Sequence, residues 1–527
     1  MKNKFLFLLI IGTLMTGQSC KESELDLKNQ FAYGSDTYFV TAPQFNEAVI
    51  ATYATLLQNG LFAREWYFIF DTMGNDADAT AALLGDLQQL TVFSHDPEHV
   101  QIKALWQTLY RIIFRANLVL DKAGKWAPPT DGDKALKKQY LAEASFLKGY
   151  AEFLLVNCWG RVPIRPDFAS SSTNFNIPRS ASVADAWKVA EMDLQKAVED
   201  LPVAYSDDQS GRATKGAAIA MLGKAYLFQK KYAEAQKEFE KLTKAPYNYS
   251  LNPDYDAQFS TENNDSKESI FDIKHKWAGW ATGNQYYMFG GQDGWGGKTT
   301  HTGRAQEYGF NDWKNLVVSK GAVAAFKYKD NGGKDYIDPR AKFVFYGDAA
   351  SGGDTDYCNK CDKVIPYDFE QLGYMWRKYE PYELIEKIDG PQSEINTQII
   401  RYSDVLLMIA ECNIQQGKMA DALPLINTVR KRVKAFEYTT LGDQTNAFTL
   451  LRRERQIELC GEQTRYFDLM RWGLFKAQIN TEKNAVLKEY PSLKANPVAD
   501  KHLLFPIPMS EKVSNPEVAK DVKDGWN

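Results

Sequence analysis

The chain has 527 residues, of which 25% are charged and 44% hydrophobic, the proportions of a soluble globular protein. That length can bury one large core or two to three ordinary ones. The formal charge is −4, or −6 once Lys2 and Lys4 are removed with the leader described next. With no basic run or stripe anywhere, this balance argues against nucleic acid as a partner.

Residues 1–19 read as a targeting leader and are set apart from the fold. Lys2 and Lys4 give it a positive start, and the apolar run at 5–11 is too short to span a bilayer. Small or polar residues, Gly17, Gln18 and Ser19, then lead into Cys20. The arrangement resembles a lipoprotein signal peptide, with Cys20 as the acylated first residue of the mature chain, although Gly17 stands where Leu is usual. The alternative is an ordinary signal peptide with an incidental cysteine. Lys21, Glu22 and Glu24 resemble the export tag of lipoproteins displayed on the outer surface, and acyl chains of this kind anchor firmly. Residues 20–44 are expected to be a tether.

From residue 45 helical periodicity dominates, and a two-helix unit recurs. The clearest copy is AAIAMLGKAYLFQKKYAEAQKEFEKL, where Leu222, Gly223 and Tyr226, then Ala235 and Phe239, fit a tetratricopeptide repeat. Ala410, Gly417, Ala422 and Ile426 fall in the same frame. Degenerate copies join 45–57 to 102–122, and 141–156 to 183–201. Such hairpins cannot bury their apolar faces alone, so they stack. Gly223 and Ala410 are read as packing devices. Within the first unit, the segment 73–99 offers Asn75, Asp76 and Asp78 as acceptors, with capping and turn chemistry as the competing explanation for each.

Between 274 and 400 the periodicity fades, and Gly, Asp, Asn, Trp and Tyr dominate. Long irregular insertions of this kind carry function more often than the elements that hold them. Four of the twelve tryptophans, Trp277, Trp280, Trp295 and Trp313, fall within 37 residues. Tyr286, Tyr287, Tyr308 and Phe310 join them, and Asn284, Gln285, Gln292, Asp293 and Arg304 supply polar groups. Flat aromatics complement the C–H faces of sugar rings while such polar groups satisfy hydroxyls. A small aromatic core pinning the loop is the plainer explanation. Further on, Cys358 and Cys361 form a lone C-x-x-C, too few ligands for a zinc site and without a thioredoxin-like context. Outside the cytoplasm a local disulfide is expected there. Cys158, Cys412 and Cys460 read as buried small hydrophobes.

Residues 401–473 begin with a helical hairpin that Gly417 must stop and reverse. They end in LLRRERQIELCGEQTRYFDLMRWG, where Arg455, Glu458, Glu462, Arg465, Asp468 and Arg471 crowd an apolar helix. Arg455 and Glu458 are i,i+3 neighbours and Glu458 and Glu462 are i,i+4 neighbours, so they share a face. They are read as a structural ion network. This block resembles the C-terminal signature of the SusD/RagB family, the surface glycan-binding lipoproteins of Gram-negative polysaccharide-uptake systems. LWQTLYRIIFRAN at 105–117, YLAEASFLKGYAEFLLVNCWGRVPI at 140–164, PRSASV at 178–183, GRATKGAA at 211–218, ESIFDI at 268–273 and HLLFPIPMSEKVSNPEV at 502–518 resemble further family motifs in family order.

The resemblance implies a mostly α-helical, SusD-like fold: four tetratricopeptide-like helix pairs with a large loop-rich region packed on them. One domain is expected over 45–527, with N-terminal repeats at 45–273, a ligand-binding insertion at 274–400, and the last repeat and signature helices at 401–527. It implies non-catalytic capture of an oligosaccharide at the outer membrane and delivery to a SusC-type TonB-dependent barrel, without a cofactor. Within the family, the segment before the W-x-x-x-Y helix also contributes to the binding face. Two rivals are a peptide-binding repeat module and a surface glycoside hydrolase, whose carboxylate pair would leave no local signature. Other chemistry fits poorly. GGQDGWGGKTT has Gln292 where a phosphate loop needs glycine and no strand before it. Pro97 interrupts the His95/His99 spacing, and DNGGKDYID at 330–338 reads as a turn better than as a calcium loop.

Overall fold

The structure is a computed structural model that describes residues 38–80, 85–275, 308–309, 314–357, 364–379, 395–487, 496–521 and 525–526. It is mostly helical. The elements that matter here are α1 (Ala42–Ala54), α2 (Glu65–Met73), β1 (Ala77–Ala79), α3 (Val100–Lys125), α4 (Asp131–Trp159), α5 (Val183–Asp200), α6 (Lys215–Phe228) and α7 (Tyr232–Phe239). These are followed by β2 (Ser269–Ile273), β3 (Leu316–Val318), α8 (Lys320–Ala325), β4 (Lys327–Lys329), β5 (Asp335–Ile337), β6 (Phe345–Tyr346), β7 (Asp356–Tyr357), β8 (Ile365–Pro366), β9 (Met375–Trp376) and β10 (Thr397–Arg401). The chain closes with α9 (Tyr402–Gln415), α10 (Met419–Arg432), α11 (Gln444–Glu458), α12 (Arg465–Arg471) and α13 (Phe475–Leu487).

The four expected helix pairs are packed as pairs: α1 on α3, α4 on α5, α6 on α7, and α9 on α10. They also stack on one another, through α3 against α4, α5 against α6, and α7 against α9. Four of these helices, α4, α5, α6 and α11, start where a side chain takes an orphan N–H. Thr130 accepts from Asp133 N, Ser182 from Asp185 N, Thr214 from Ala217 N, and Asp443 from Asn446 N. Between α6 and α7 the contact is close enough that a Cβ on Gly223 would stand 2.5 Å from the Phe239 ring, which makes Gly223 the packing device it was read as. Gly417, at φ +77, turns the chain out of α9 as expected. Cys158, Cys412 and Cys460 are buried free thiols, the first two inside α4 and α9 and Cys460 in the turn after α11.

All strand pairs are short and antiparallel: β1 with β3, β2 with β10, β4 with β5, β6 with β9, and β7 with β8. The β4–β5 pair is a hairpin, closed by the turn expected within 330–338. Asp330 Oδ1 accepts from Gly332 N at 2.8 Å and Lys334 N at 2.9 Å, which is turn chemistry. The β2–β10 register slips on both sides of Ile400, so that Ile400 and Arg401 are both buried where a regular strand would alternate them. Among the described residues no helix is long and apolar enough to cross a membrane.

The charges of the last helices converge inside. Arg340, Arg401, Arg430, Arg432 and Lys378 meet Glu268, Asp338, Glu454, Glu458 and Glu462, and each of these side chains is at most 3% exposed. Five cations face five carboxylates, so the cluster is neutral as a whole. Arg455 extends it to Asp404 at 2.8 Å and Asp468 at 2.7 Å, and Arg471 reaches Glu411 and Asp468. This is the structural network read from the sequence, with partners drawn from α9, α10, α11, α12, β10, the residue before β2, and the loops after β5, β9 and α11.

Candidate functional site

His275, just before the aromatic stretch 277–313, and Tyr308, within it, are both tied to one face of α2, His275 through Thr397. This helix, EWYFIFDTM, is buried along its whole length. Tyr67 and Asp71 lie four residues apart and project from the same side. At the entry end, the Tyr67 hydroxyl lies 2.6 Å from Thr397 Oγ1, and Thr397 Oγ1 is 3.0 Å from His275 Nε2. His275 N also donates to Asn396 Oδ1, and Asn396 Nδ2 donates to Asp272. Toward the exit end, the hydroxyl of buried Tyr308 donates to Asp71 Oδ2 at 2.8 Å, and Gln463 Nε2 reaches the same oxygen at 2.7 Å. The Tyr308 ring packs at 5.8 Å from Trp376.

The chain that leaves α2 forms a second clamp. Asn75 adopts φ +60, a left-handed conformation Asn tolerates better than most residues. It turns the backbone into β1, where Ala77, Asp78 and Ala79 pair with Val318, Val317 and Leu316. Thr80 extends the pairing to Asn315 O and Lys314 O. Residues 77–80, within the segment 73–99, are therefore joined to 314–318, the chain that directly follows 277–313.

Asn75 and Asp76 themselves are buried and engaged in holding this corner. Asn75 Nδ2 donates to Glu482 Oε2 at 2.7 Å. Asp76 Oδ2 accepts from Gly461 N at 3.2 Å, with Oδ1 4.0 Å from the Arg465 guanidinium. Burial raises the Asp76 carboxyl to about 7, against the pull of Arg465 and with a push from Asp71. Burial likewise raises Asp78. Arg465 donates to the carbonyls of Gly74 and Asn75, which α2 leaves without helical partners, and pairs with Glu482. Ser319 Oγ donates to Asn75 O and accepts from Ala322 N, capping α8. These residues brace the corner from beneath.

Trp277, Trp280, Asn284, Gln285, Tyr286, Tyr287, Gln292, Asp293, Trp295, Arg304, Phe310 and Trp313 lie outside the described residues, as do Cys20, Cys358 and Cys361. The anchoring roles of Tyr67, Asp71, Gln463 and Thr397 were not legible in the sequence, because each depends on a partner between 122 and 392 residues away. Among the described residues no group of three or more His, Cys, Asp or Glu side chains stands close enough to hold a metal.

Helix pairs stacked into a scaffold, with a loop-rich insertion clamped on α2, define a SusD-like fold. The chain belongs to the SusD/RagB family. Residues 267–526 match the SusD family model, and residues 36–227 match the family described as starch-binding, associating with outer membrane. It is 25% identical to SusD-like protein P2 of Formosa agariphila over 98% of both chains. A SusD superfamily protein from Bacteroides vulgatus superposes with a TM-score of 0.73 at 24% identity, over 92% of this chain and 99% of that one. A laminarin-binding SusD-like protein gives 0.69 at 24% identity, over 90% and 97%.

Proposed function

We propose that the protein captures an oligosaccharide at the outer membrane without cleaving it and passes it to a SusC-type TonB-dependent barrel. The observation that carries this reading is the double clamp on the aromatic segment. A stretch rich in Trp and Tyr is fixed at His275 and at Tyr308 to one face of a buried helix, and beside it the β1–β3 pair draws in residues 77–80. Rigid anchorage limits the entropy lost when a loop binds a flat ligand, and aromatic faces with nearby amides suit sugar rings. Family membership, with a laminarin-binding relative and a starch-binding family description, favours a glycan over a peptide.

Within this reading Trp277, Trp280, Tyr286, Tyr287, Trp295 and Trp313 stack on the sugar, and Arg304 bonds its hydroxyls. Asn75 and Asp76 set the corner from which the segment emerges. Cys20 carries the lipid that holds the protein at the outer membrane, and a Cys358–Cys361 disulfide staples its own loop. No cofactor takes part. The mature protein should retain members of a glycan array, ignore a peptide library, and release no reducing sugar from any glycan it holds. Selective peptide retention, or steady release of reducing ends, would overturn the reading.

A further inference from the structure

A cavity of about 270 Å³ opens between α11 and β4. Thr449, Arg452, Arg453 and Gln456 of α11 line one side of it, Lys327 of β4 another, and Trp472 a third. Arg455 and Arg465 also reach it, but both are committed: Arg455 to Asp404 and Asp468, Arg465 to Glu482. Asp468 is the carboxylate in the wall, and both its oxygens are taken by Arg455 and Arg471.

The other three cations differ. Among the described residues no carboxylate lies within ion-pair distance of Arg452, Arg453 or Lys327. The Arg452 guanidinium sits 5.3 Å over the Phe448 ring, and its Nη2 reaches only Thr449 Oγ1, at 3.4 Å. Its Nε is buried and has no acceptor. Burial, with no carboxylate to oppose it, holds this guanidinium below its ordinary range. Arg453 lies 4.8 Å over the Tyr328 ring. Most buried guanidiniums among the described residues are matched to carboxylates, and Arg165 to the carbonyls of Ser170, Asn174 and Phe175, whereas half-buried Arg452 and Arg453 meet neither kind of acceptor. Leaving a buried donor unmatched is costly. An external acceptor would remove that cost.

We infer that this cavity is an oxyanion site, in which Arg452 and Arg453 grip a carboxylate or sulfate group and Lys327 adds charge at the mouth. A guanidinium fork matches the paired oxygens of such groups better than any other side chain. The volume falls just below the roughly 300–1,000 Å³ of small-molecule sites, so it suits one acidic sugar unit, with Trp472 as a wall for the ring. The sugar part of the inference rests on the glycan-capture reading. The oxyanion part does not.

The test uses the full mature chain and the double variant R452Q/R453Q. Thermal melting and calorimetry are run at matched ionic strength with sodium sulfate, sodium chloride, glucuronate and glucose. Sulfate stabilises many proteins by exclusion from the surface, so the signal is the difference between wild type and variant. Sulfate and glucuronate should raise the wild-type midpoint beyond chloride and glucose. The double variant should bind them about tenfold or more weakly, as expected for lost charge-assisted hydrogen bonds. Glucuronate binding above sulfate assigns a sugar-borne acid, and equal binding assigns a free oxyanion. Should the double variant fail to fold, K327E, at an exposed strand position, serves instead and should weaken binding several-fold. Equal anion response in wild type and variants, or no anion-specific response in the wild type, would overturn the site. Neutral oligosaccharide binding should survive in every variant. Its absence from the wild type would count against glycan capture while leaving the sulfate result to judge the pocket.

Discussion

Replacing Glu458 with Gln tests how the last helices are fastened. Glu458 is fully buried, and its carboxylate meets Arg340 at 2.9 Å, Arg401 at 2.5 Å, and Arg432. These guanidiniums hold its carboxyl well below the ordinary glutamate range, against the opposing effect of burial. Gln has the same size, so the substitution opens no cavity. It does turn a neutral cluster of five cations and five carboxylates into one with a net buried positive charge, and it aims an amide NH₂ at a guanidinium. Removing one partner from a buried pair costs about 3–5 kcal/mol. By contrast, D121N removes a partner from the exposed Lys125–Asp121 pair and should cost no more than about 1 kcal/mol. Urea denaturation at unchanged slope measures both. The double variant E458Q/R432Q restores neutrality and should be more stable than the sum of its parts by about 0.5–3 kcal/mol. The Glu458 contribution is fully present above the ordinary glutamate pKa and is lost as pH falls through its depressed folded value, so the defect should shrink below about pH 4.5. An E458Q protein within 1 kcal/mol of wild type, or strict additivity in the double variant, would refute the network as the fastening of these helices.

Three further outcomes follow from buried groups. The Asp76 carboxyl, raised to about 7, should cost stability as pH rises from about 4 to 7. D76N should therefore be the more stable protein at pH 8, by up to roughly 4 kcal/mol, and the gain should vanish near pH 4 in parallel melts. Burial lowers His95 to about 3, so the neutral ring favours the fold and stability should fall as pH drops below about 6.5, by roughly 1.4 kcal/mol per unit. H95F should flatten that slope. Gly461 has φ +73, and a Cβ there would stand 2.6 Å from Trp376, the ring beside Tyr308. G461A should cost about 1–3 kcal/mol and alter the near-ultraviolet circular dichroism of the Trp376–Tyr308 pair.

The scaffold was legible because its signals are local. Helical spacing, Gly417 and the apolar positions of 401–433 need no distant partner to be read. The charges of 455–471 were likewise legible as a network, since i,i+3 and i,i+4 spacing puts them on one face. Their partners Arg340, Lys378 and Glu268 were not, because they come from irregular loops that only the fold brings near. Asn75 and Asp76 show the same limit. As polar residues after a helix they read equally as ligand acceptors or as turn formers, and their burial depends on Gly461, Arg465 and Glu482, between 385 and 407 residues away. Arg452 and Arg453 lay in plain view in LLRRER. Nothing in the sequence distinguished them from Arg455, which is paired, because what sets them apart is a carboxylate that fails to arrive.

The central claim is that the segment clamped by α2 holds the ligand. Affinity electrophoresis or calorimetry on wild type and the W280A/W295A double variant, with a glycan first identified on an array, tests it directly. Wild type should be retained, and the double variant should lose about tenfold or more in affinity with an unchanged melting midpoint. Undiminished affinity in the double variant would contradict the claim and move the binding face elsewhere on the molecule.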